Sequence, residues 1–571
     1  MKLKFSDLTN LADLVLYISQ HNSNKKFANF LNNGEWVAHS TKSFLTKTYI
    51  LALNLQRLGI KKGTKIAIFS DSSPYWLVCD LACQLIGAIS VPMFTNIAKE
   101  NLKYQLDDCR AEYAFVISGE KWQSLKPYAK KFKYIITHQF KIREERAKDL
   151  SSLMKIDKHY ELDFTRFTKN IKATDIATII YTSGSTGKPK GVVLTHQNLI
   201  SQIKDTNKFF KLNKNDVVLS YLPLAHIFER MVMYFYLSKN LTIYFADDVL
   251  NVANLLQEVK PSVITTVPRL LEKIYTKINL KISEAAIAQK IIALAALWYA
   301  KNVPINIAKK LFIVKFFQQT IYNKLLKLMG GNIRLVISGG APLDNDLNRF
   351  FFNIGLPVME GYGLTEAAPV ISSNCPDYYK FASVGKVFPS VKVKISDSGE
   401  ILAQGPNIMS SYYNNDKATE NTIKKGWLYT GDMGYLDEEG FLFITGRIKE
   451  LQKTSNGKYV PTILLENKLK QIPLTDNALI IADGRKFVSA LIFPDYKIVK
   501  EKKLSNRALD DYFSVEIDKL NKNFNHWEKI QRFIIAKQEA TVANGELTPS
   551  LKLRRYVILE NYKKQIEKIY Q

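Results

Sequence analysis

Residues 176–196 read "IATIIYTSGSTGKPKGVVLTH", and their reading decides the fold class. "IATIIY" reads as a buried strand. After it come glycines alternating with small hydroxyl residues, then two lysines and the apolar run "VVL". A strand that opens into a glycine-rich loop is where α/β folds hold phosphate. The G-x-x-x-x-G-K-[ST] loop, which ends on a hydroxyl that holds Mg²⁺, is excluded by spacing. Gly184 and Gly187 stand too close together, and Lys188 precedes Pro189, which has neither a hydroxyl nor an N–H and biases the lysine away from helix. Anion affinity survives that exclusion. N–H groups around glycines form anion-binding concavities, hydroxyls add donors, and lysines add charge. A flexible surface loop is the competing reading of such a run, and the strand in front of it argues against that.

The 571 residues exceed one ordinary core, so at least two domains are expected. Hydrophobic residues at 46% and charged residues at 23% supply a large core and exclude a disordered chain. The opening "MKLKFSDLTNLADLVLYISQ" lacks a signal-peptide core and cleavage site. The longest apolar candidate, "IIALAALWYA" at 291–300, is far shorter than the ~20 residues of a membrane span. Cys79 and Cys83 share a helix face, while Cys109 and Cys375 are isolated. This is the pattern of buried free thiols in a cytoplasmic protein. The net charge of +27 comes from lysines spread along the chain. No nucleic-acid-binding signature accompanies it, so no nucleic-acid partner is expected. The lysines are either a solvated surface or a means of meeting an anionic membrane or cosubstrate.

Residues 48–117 alternate helix and strand patterns: "YILALNLQRLG", "KIAIFS", "WLVCDLACQLIGA", "ISVPM", "YAFVIS". Such alternation implies βαβ units and a parallel sheet, hence an α/β fold. The theme returns at 174–194, 217–245, 262–267 and 333–340. Tyr275 to Met329 reads as mostly helical, and 384–446 as short strands and turns. After "GRIKEL" a small α/β unit begins, in which "ALIIADGRKFVSALIFP" reads as a β-hairpin.

Four further motifs follow the loop in order: "GYGLTEAAPV" (361–370), "GWLYTGDMGYLDEEGFLFITGR" (426–447), "GRIKELQKTSNGKYVPTILLEN" (446–467) and "LTPSLKLRR" (547–555). Together with "YTSGSTGKPKG" they resemble the adenylate-forming enzymes. "LPLAHIFER" (222–230) and "VPRLLEKIY" (267–275) resemble the long-chain fatty acyl-CoA synthetase branch. The resemblance implies a large N-terminal domain over 1–447, with parallel-sheet subdomains and a β-barrel-like portion, and a small mobile domain over 448–571. It implies ATP, Mg²⁺ and coenzyme A as cosubstrates and cofactor, with a fatty acid activated as acyl-AMP and then passed to a thiol.

The resemblance also assigns residues. Thr182, Ser183, Gly184, Ser185, Thr186, Gly187 and Lys190 would grip the β- and γ-phosphates. Tyr362 would lie against adenine, Thr365 on the phosphate and Glu366 on Mg²⁺, with Thr182 beside the metal. Gly340, in "SGGAPL", would line the adenine and acyl pocket. Asp432 would accept the ribose hydroxyls, with Arg447 as its basic partner. Lys552 would bridge the α-phosphate and the attacking carboxylate; Leu551 stands before it where the commoner pattern has glycine. His226 would lie beside the acyl carboxylate, and Met231, Met233, Phe235 and Tyr236 would line the acyl tunnel. Lys449 would be the hinge. Two rival readings remain: transfer to an acyl carrier protein, or a decayed membrane- or nucleic-acid-binding protein. An acyl substrate that partitions into bilayers implies peripheral association with an anionic membrane through lysines and segment 283–301, at the inner face of the membrane. Oligomeric state is not legible.

Overall fold

The computed structural model describes residues 2–142, 144–155, 161–182, 188–304, 307, 312–448, 451–549 and 551–571. Ser183–Gly187 and Lys449, expected to act as phosphate grip and hinge, lie outside the described residues.

Two large sheets form the N-terminal part. In the first, strands Tyr134–Thr137, Tyr113–Val116, Lys65–Phe69, Ile89–Met93 and Ile176–Thr182 lie side by side and parallel. Ile176–Thr182 then pairs antiparallel with Lys190–Thr195, so the glycine-rich loop joins two strands of one hairpin. No helix opens at the loop's lysines; Lys190 itself begins a strand. In the second sheet, strands Ala28–Asn32, Thr242–Phe245, Val217–Ser220, Val263–Thr266, Leu335–Ser338 and Val358–Gly363 are parallel neighbours in that order.

The crossover helices end where the sequence provides caps. Ser40 accepts from the Ser43 N–H to open Thr41–Arg57. Ser73 accepts from the Trp76 N–H ahead of Pro74, the first residue of Pro74–Leu85. All four cysteines are buried free thiols, and burial pushes the Cys109 thiol up to about 12. The region read as short strands contains a five-stranded antiparallel sheet within Lys392–Arg447. The stretch read as helical holds Pro268–Ser283, Ile287–Asn302, Phe312–Phe317 and Asn323–Leu328.

The cores divide along the chain. Three hydrophobic clusters draw only on residues up to Leu442, and two others only on residues from Val460 to Ile566. The C-terminal clusters wrap the strands Thr475–Ile481, Val488–Pro494 and Ile530–Ile535; the first two pair antiparallel, as the hairpin reading requires. Polar contacts join the two parts. Lys468 Nζ lies 2.8 Å from Asp344 and 3.1 Å from Asp346, Arg269 pairs with Asp476, and Asn96 donates to the Pro549 carbonyl at 3.1 Å. Burial pushes the Asp344 carboxyl up, but the Lys468 ammonium together with hydrogen bonds from the Leu347 N–H and Gln471 holds the group below its ordinary value.

Candidate active site

His226 caps the helix Ile227–Ser238, its Nδ1 accepting from the Phe228 N–H at 3.2 Å. Burial pulls its pKa down to about 4, and the charge of Lys552 pushes the same way. The imidazole is therefore neutral around pH 7, and the charge of a lysine near the C-terminus is felt at it. The turn that carries this lysine closes on itself: Thr548 N–H donates to the Lys552 carbonyl at 2.7 Å, and Lys552 N–H to Thr548 Oγ1 at 3.0 Å. Leu551, within this turn, has φ +61°, the left-handed region that suits glycine. The turn thus gives a physical reason for the glycine of the commoner pattern, and this chain adopts the same conformation with leucine.

Behind His226, the same helix is anchored by a buried ion pair. Arg230 and Asp80 are fully buried; Arg230 Nη2 lies 2.5 Å and Nε 3.1 Å from the two carboxylate oxygens. Arg230 also donates to Thr178 Oγ1 and Ser90 Oγ, both at 2.7 Å, while Tyr234 donates to Asp80. Sequence reasoning quoted "LPLAHIFER" and "WLVCDLACQL" without using these charges. The signal was available: Asp80 is the one charged residue of its apolar helix, and a buried ion demands a partner. Met231, Met233, Phe235 and Tyr236 are all core residues, and Tyr236 Oη bonds Thr265 Oγ1 at 2.6 Å.

Glu366 sits in the short helical turn Thr365–Ala367, reached from the strand Val358–Gly363. At Gly363 a Cβ would fall 1.9 Å from the Pro369 carbonyl, so only glycine admits this approach. Glu366 Oε1 accepts from Tyr412 Oη at 2.7 Å, and Lys190 Nζ lies 4.9 Å from the centre of the Tyr412 ring. One aromatic therefore links the Glu366 carboxylate to the lysine of the loop hairpin. Sequence reasoning missed Tyr412: its strand, Ser411–Tyr412, pairs with Lys190–Thr195 across more than two hundred residues, and no local pattern announces that. Thr182 and Lys190 face each other in the hairpin register.

Asp432 is almost fully buried and held from two sides. Tyr362 Oη donates to its Oδ2 and Arg447 Nε to its Oδ1, each at 2.7 Å. Asp432 and Arg447 are register partners on adjacent strands. Burial, then the Asp432 carboxylate, raises the Tyr362 phenol well above its ordinary range. Gly340 has φ +82° at the end of the strand Leu335–Ser338, and a Cβ on its neighbour Gly339 would come 3.1 Å from the Phe228 ring. Contacts thus link two sets of the expected residues, Lys190 with Glu366 through Tyr412 and Tyr362 with Asp432 and Arg447, while the charge of Lys552 is felt at His226.

Such an arrangement offers cationic, hydroxyl and carboxylate groups suited to a nucleotide. A family profile described as AMP-binding enzyme matches residues 19–413, and one described as AMP-binding enzyme C-terminal domain matches 451–571. The chain belongs to the AMP-binding enzyme family. It is 32% identical to a long-chain-fatty-acid–CoA ligase of Mycobacterium bovis, over 95% of this chain and 93% of that one. Among solved structures it is similar to the adenylation domain of a carboxylate reductase from Mycobacterium chelonae, with TM-score 0.80 and 18% identity over 98% and 91% of the two chains. It is also similar to O-succinylbenzoate coenzyme A synthetase from Bacillus subtilis, solved with ATP and magnesium ion, with TM-score 0.68 and 22% identity over 96% and 98%. At these identities the solved structures speak for the fold.

Proposed function

We propose that the protein is an ATP-dependent long-chain fatty acid–CoA ligase of the AMP-forming kind. Its adenylating domain spans residues 1–447 and its mobile domain 448–571. The observation that supports the reading is the hydrogen bond from Asn96 to the Pro549 carbonyl at 3.1 Å, which seats the Thr548–Lys552 turn of the C-terminal part against the N-terminal part.

In the first half-reaction the fatty acid carboxylate attacks the α-phosphorus of ATP, and the bond to the pyrophosphate oxygen breaks. Lys552 bridges the attacking carboxylate and the α-phosphate, lowering the repulsion between two anions. His226, neutral at working pH, donates a hydrogen bond to the carboxylate without adding charge. Thr182, Lys190 and the Ser183–Gly187 loop hold the leaving pyrophosphate, Gly340 and Tyr362 take the adenine, and Asp432 takes the ribose hydroxyls while Arg447 fixes it. Thr365 holds the α-phosphate. Glu366 would hold Mg²⁺, with Thr182 beside it. Mg²⁺ keeps several waters and is commonly held by one or two carboxylates together with substrate phosphates, so a single carboxylate at Glu366 with ATP suits it. The ion would neutralise phosphate charge.

In the second half-reaction the thiolate of coenzyme A attacks the acyl carbon and AMP leaves. Lys552 occupies the thiol's approach, so the C-terminal domain must turn about a hinge at Lys449. Lys449→Pro fixes φ at the pivot and should leave acyl-AMP formation intact while thioester formation collapses; equal loss of both would remove the hinge assignment. The names of the curated relatives favour coenzyme A over an acyl carrier protein. Radiolabelled fatty acid offered both acceptors tests this. Thioester on coenzyme A supports the proposal, and thioester on carrier protein alone refutes it. An acyl substrate partitions into bilayers, and on that ground the protein is proposed to meet it at the cytoplasmic face of a membrane by peripheral contact; no helix among the described residues is long and apolar enough to cross one.

A further inference from the structure

The helix Ile287–Asn302 carries two apolar stripes on opposite faces. Ala293, Ala296, Leu297 and Ala300 are buried. Asn353 Nδ2 donates to the carbonyls of Ala300 and Val303 at 2.8 Å each, seating this face on the helix Asn345–Asn353. On the other side Ile287, Ile291, Leu294 and Trp298 recur at helical spacing and are 80%, 63%, 48% and 61% exposed. Phe312 and Phe316 of the next described helix are 85% and 47% exposed. Ring contacts Trp298–Tyr299 (6.0 Å), Tyr299–Phe317 (5.8 Å) and Phe317–Phe316 (5.9 Å) join the two helices into one surface. A contiguous outward face of this kind marks an interaction site.

Charge selects the occupant. Between Lys273 and Arg334 the chain has ten lysines and one arginine against a single acid, Glu284. Lys315 of Phe312–Phe317, Lys281 of the preceding helix Pro268–Ser283 and Lys324 and Lys327 of the following helix Asn323–Leu328 are all exposed. Two copies meeting through it would set lysine against lysine, which opposes association. Nucleic acid would satisfy the lysines and leave the aliphatic stripe uncovered. A bilayer with anionic headgroups satisfies both: the stripe enters the headgroup–acyl boundary while lysines reach the phosphates.

We infer that Ile287–Asn302 and Phe312–Phe317 form the face by which the protein docks on an anionic bilayer. The inference rests on the proposed acyl substrate, and it places that substrate's source. The helix Asn345–Asn353, on which the docking helix sits, begins directly after "SGGAPL". Fatty acid leaving the bilayer at this face is therefore one helix away from the proposed pocket.

The test is flotation with vesicles of phosphatidylcholine alone and of phosphatidylglycerol mixed with phosphatidylcholine. Wild type should bind the mixed vesicles and bind phosphatidylcholine at least ~10-fold more weakly, with affinity falling as salt is added. Trp298→Ser/Phe312→Ser and Lys315→Glu/Lys324→Glu should each weaken binding by about 10-fold or more. These side chains are outside the proposed site, so adenylation of fatty acid supplied in detergent micelles should stay within about twofold. Unchanged vesicle binding by both variants, or no preference for anionic lipid, would overturn the inference. So would sedimentation velocity showing a dimer that Trp298→Ser/Phe312→Ser dissociates without affecting vesicle binding. Vesicle binding by a protein that adenylates no fatty acid would keep the docking face and remove the proposed function. Adenylation without vesicle binding would do the reverse.

Discussion

Replacing Arg230 by methionine keeps the apolar stem and removes the guanidinium from a fully buried network. The lost contacts are two to Asp80, one to Tyr234 at 2.8 Å and one each to Thr178 and Ser90. Asp80 remains buried, with the Tyr234 hydroxyl and Gln84 Nε2 as its remaining donors. Breaking a buried pair from one side costs about 3–5 kcal/mol, because the surviving charge is uncompensated. Replacing both partners, as Arg230→Met/Asp80→Leu, removes that penalty and should recover most of the loss. Urea unfolding followed by tryptophan fluorescence reads this, since Trp76 packs 5.6 Å from the guanidinium. Because His226 caps the same helix, adenylation by Arg230→Met should fall while the double variant partly recovers. A single variant that loses less than ~1 kcal/mol would refute the reasoning, as would a double variant no more stable than the single.

Three other expectations follow from the site and its supports. Glu366→Ala should abolish fatty-acid-dependent pyrophosphate release with little change in unfolding midpoint, whereas Tyr412→Phe, which removes only the hydroxyl that holds Glu366, should reduce it partially and shift its Mg²⁺ dependence; near-normal release from Glu366→Ala would remove the metal assignment. Burial, opposed by Asp175 and aided by Arg230, lowers the His196 pKa to about 4. The unfolded chain then takes the proton first as pH falls, so this contribution to stability is full above about pH 6.5 and is lost toward pH 4, up to about 3 kcal/mol in all. His196→Asn, which can still accept from the Leu11 N–H, should flatten that slope, and an unchanged slope in urea titrations would exclude His196 as its source. Leu551→Gly should relieve a left-handed leucine worth roughly 1–2 kcal/mol, partly offset by about 0.5–1 kcal/mol of added chain entropy. The turn should become no less stable by hydrogen exchange at Lys552; faster exchange there would contradict the strain.

Much of this was legible because it is local. "KIAIFS" and "ISVPM" declare buried strands, and "WLVCDLACQLIGA" declares a helix, which in the structure begins two residues earlier at Pro74. The motif residues could be listed in order from the sequence; their contacts, such as Tyr362 with Asp432 and Arg447, come from the structure. What stayed hidden is tertiary. Tyr412 gains its importance only when its strand pairs beside Lys190. The left-handed Leu551 follows from a turn whose bonds run between Thr548 and Lys552. The run "IIALAALWYA" is apolar on every face, so periodicity could not say which stripe would pack inward and which would be left outside. The latch of Lys468 with Asp344 joins groups that look like ordinary solvated charges in the sequence.

The proposed site joins a fatty acid to AMP. Fatty-acid-dependent exchange of radiolabelled pyrophosphate into ATP, measured without any thiol, tests it most directly. Exchange should require a long-chain fatty acid and Mg²⁺, persist when coenzyme A is absent, and disappear in Lys552→Ala and Glu366→Ala. Exchange that is independent of fatty acid, or absent while the protein remains folded, would contradict it.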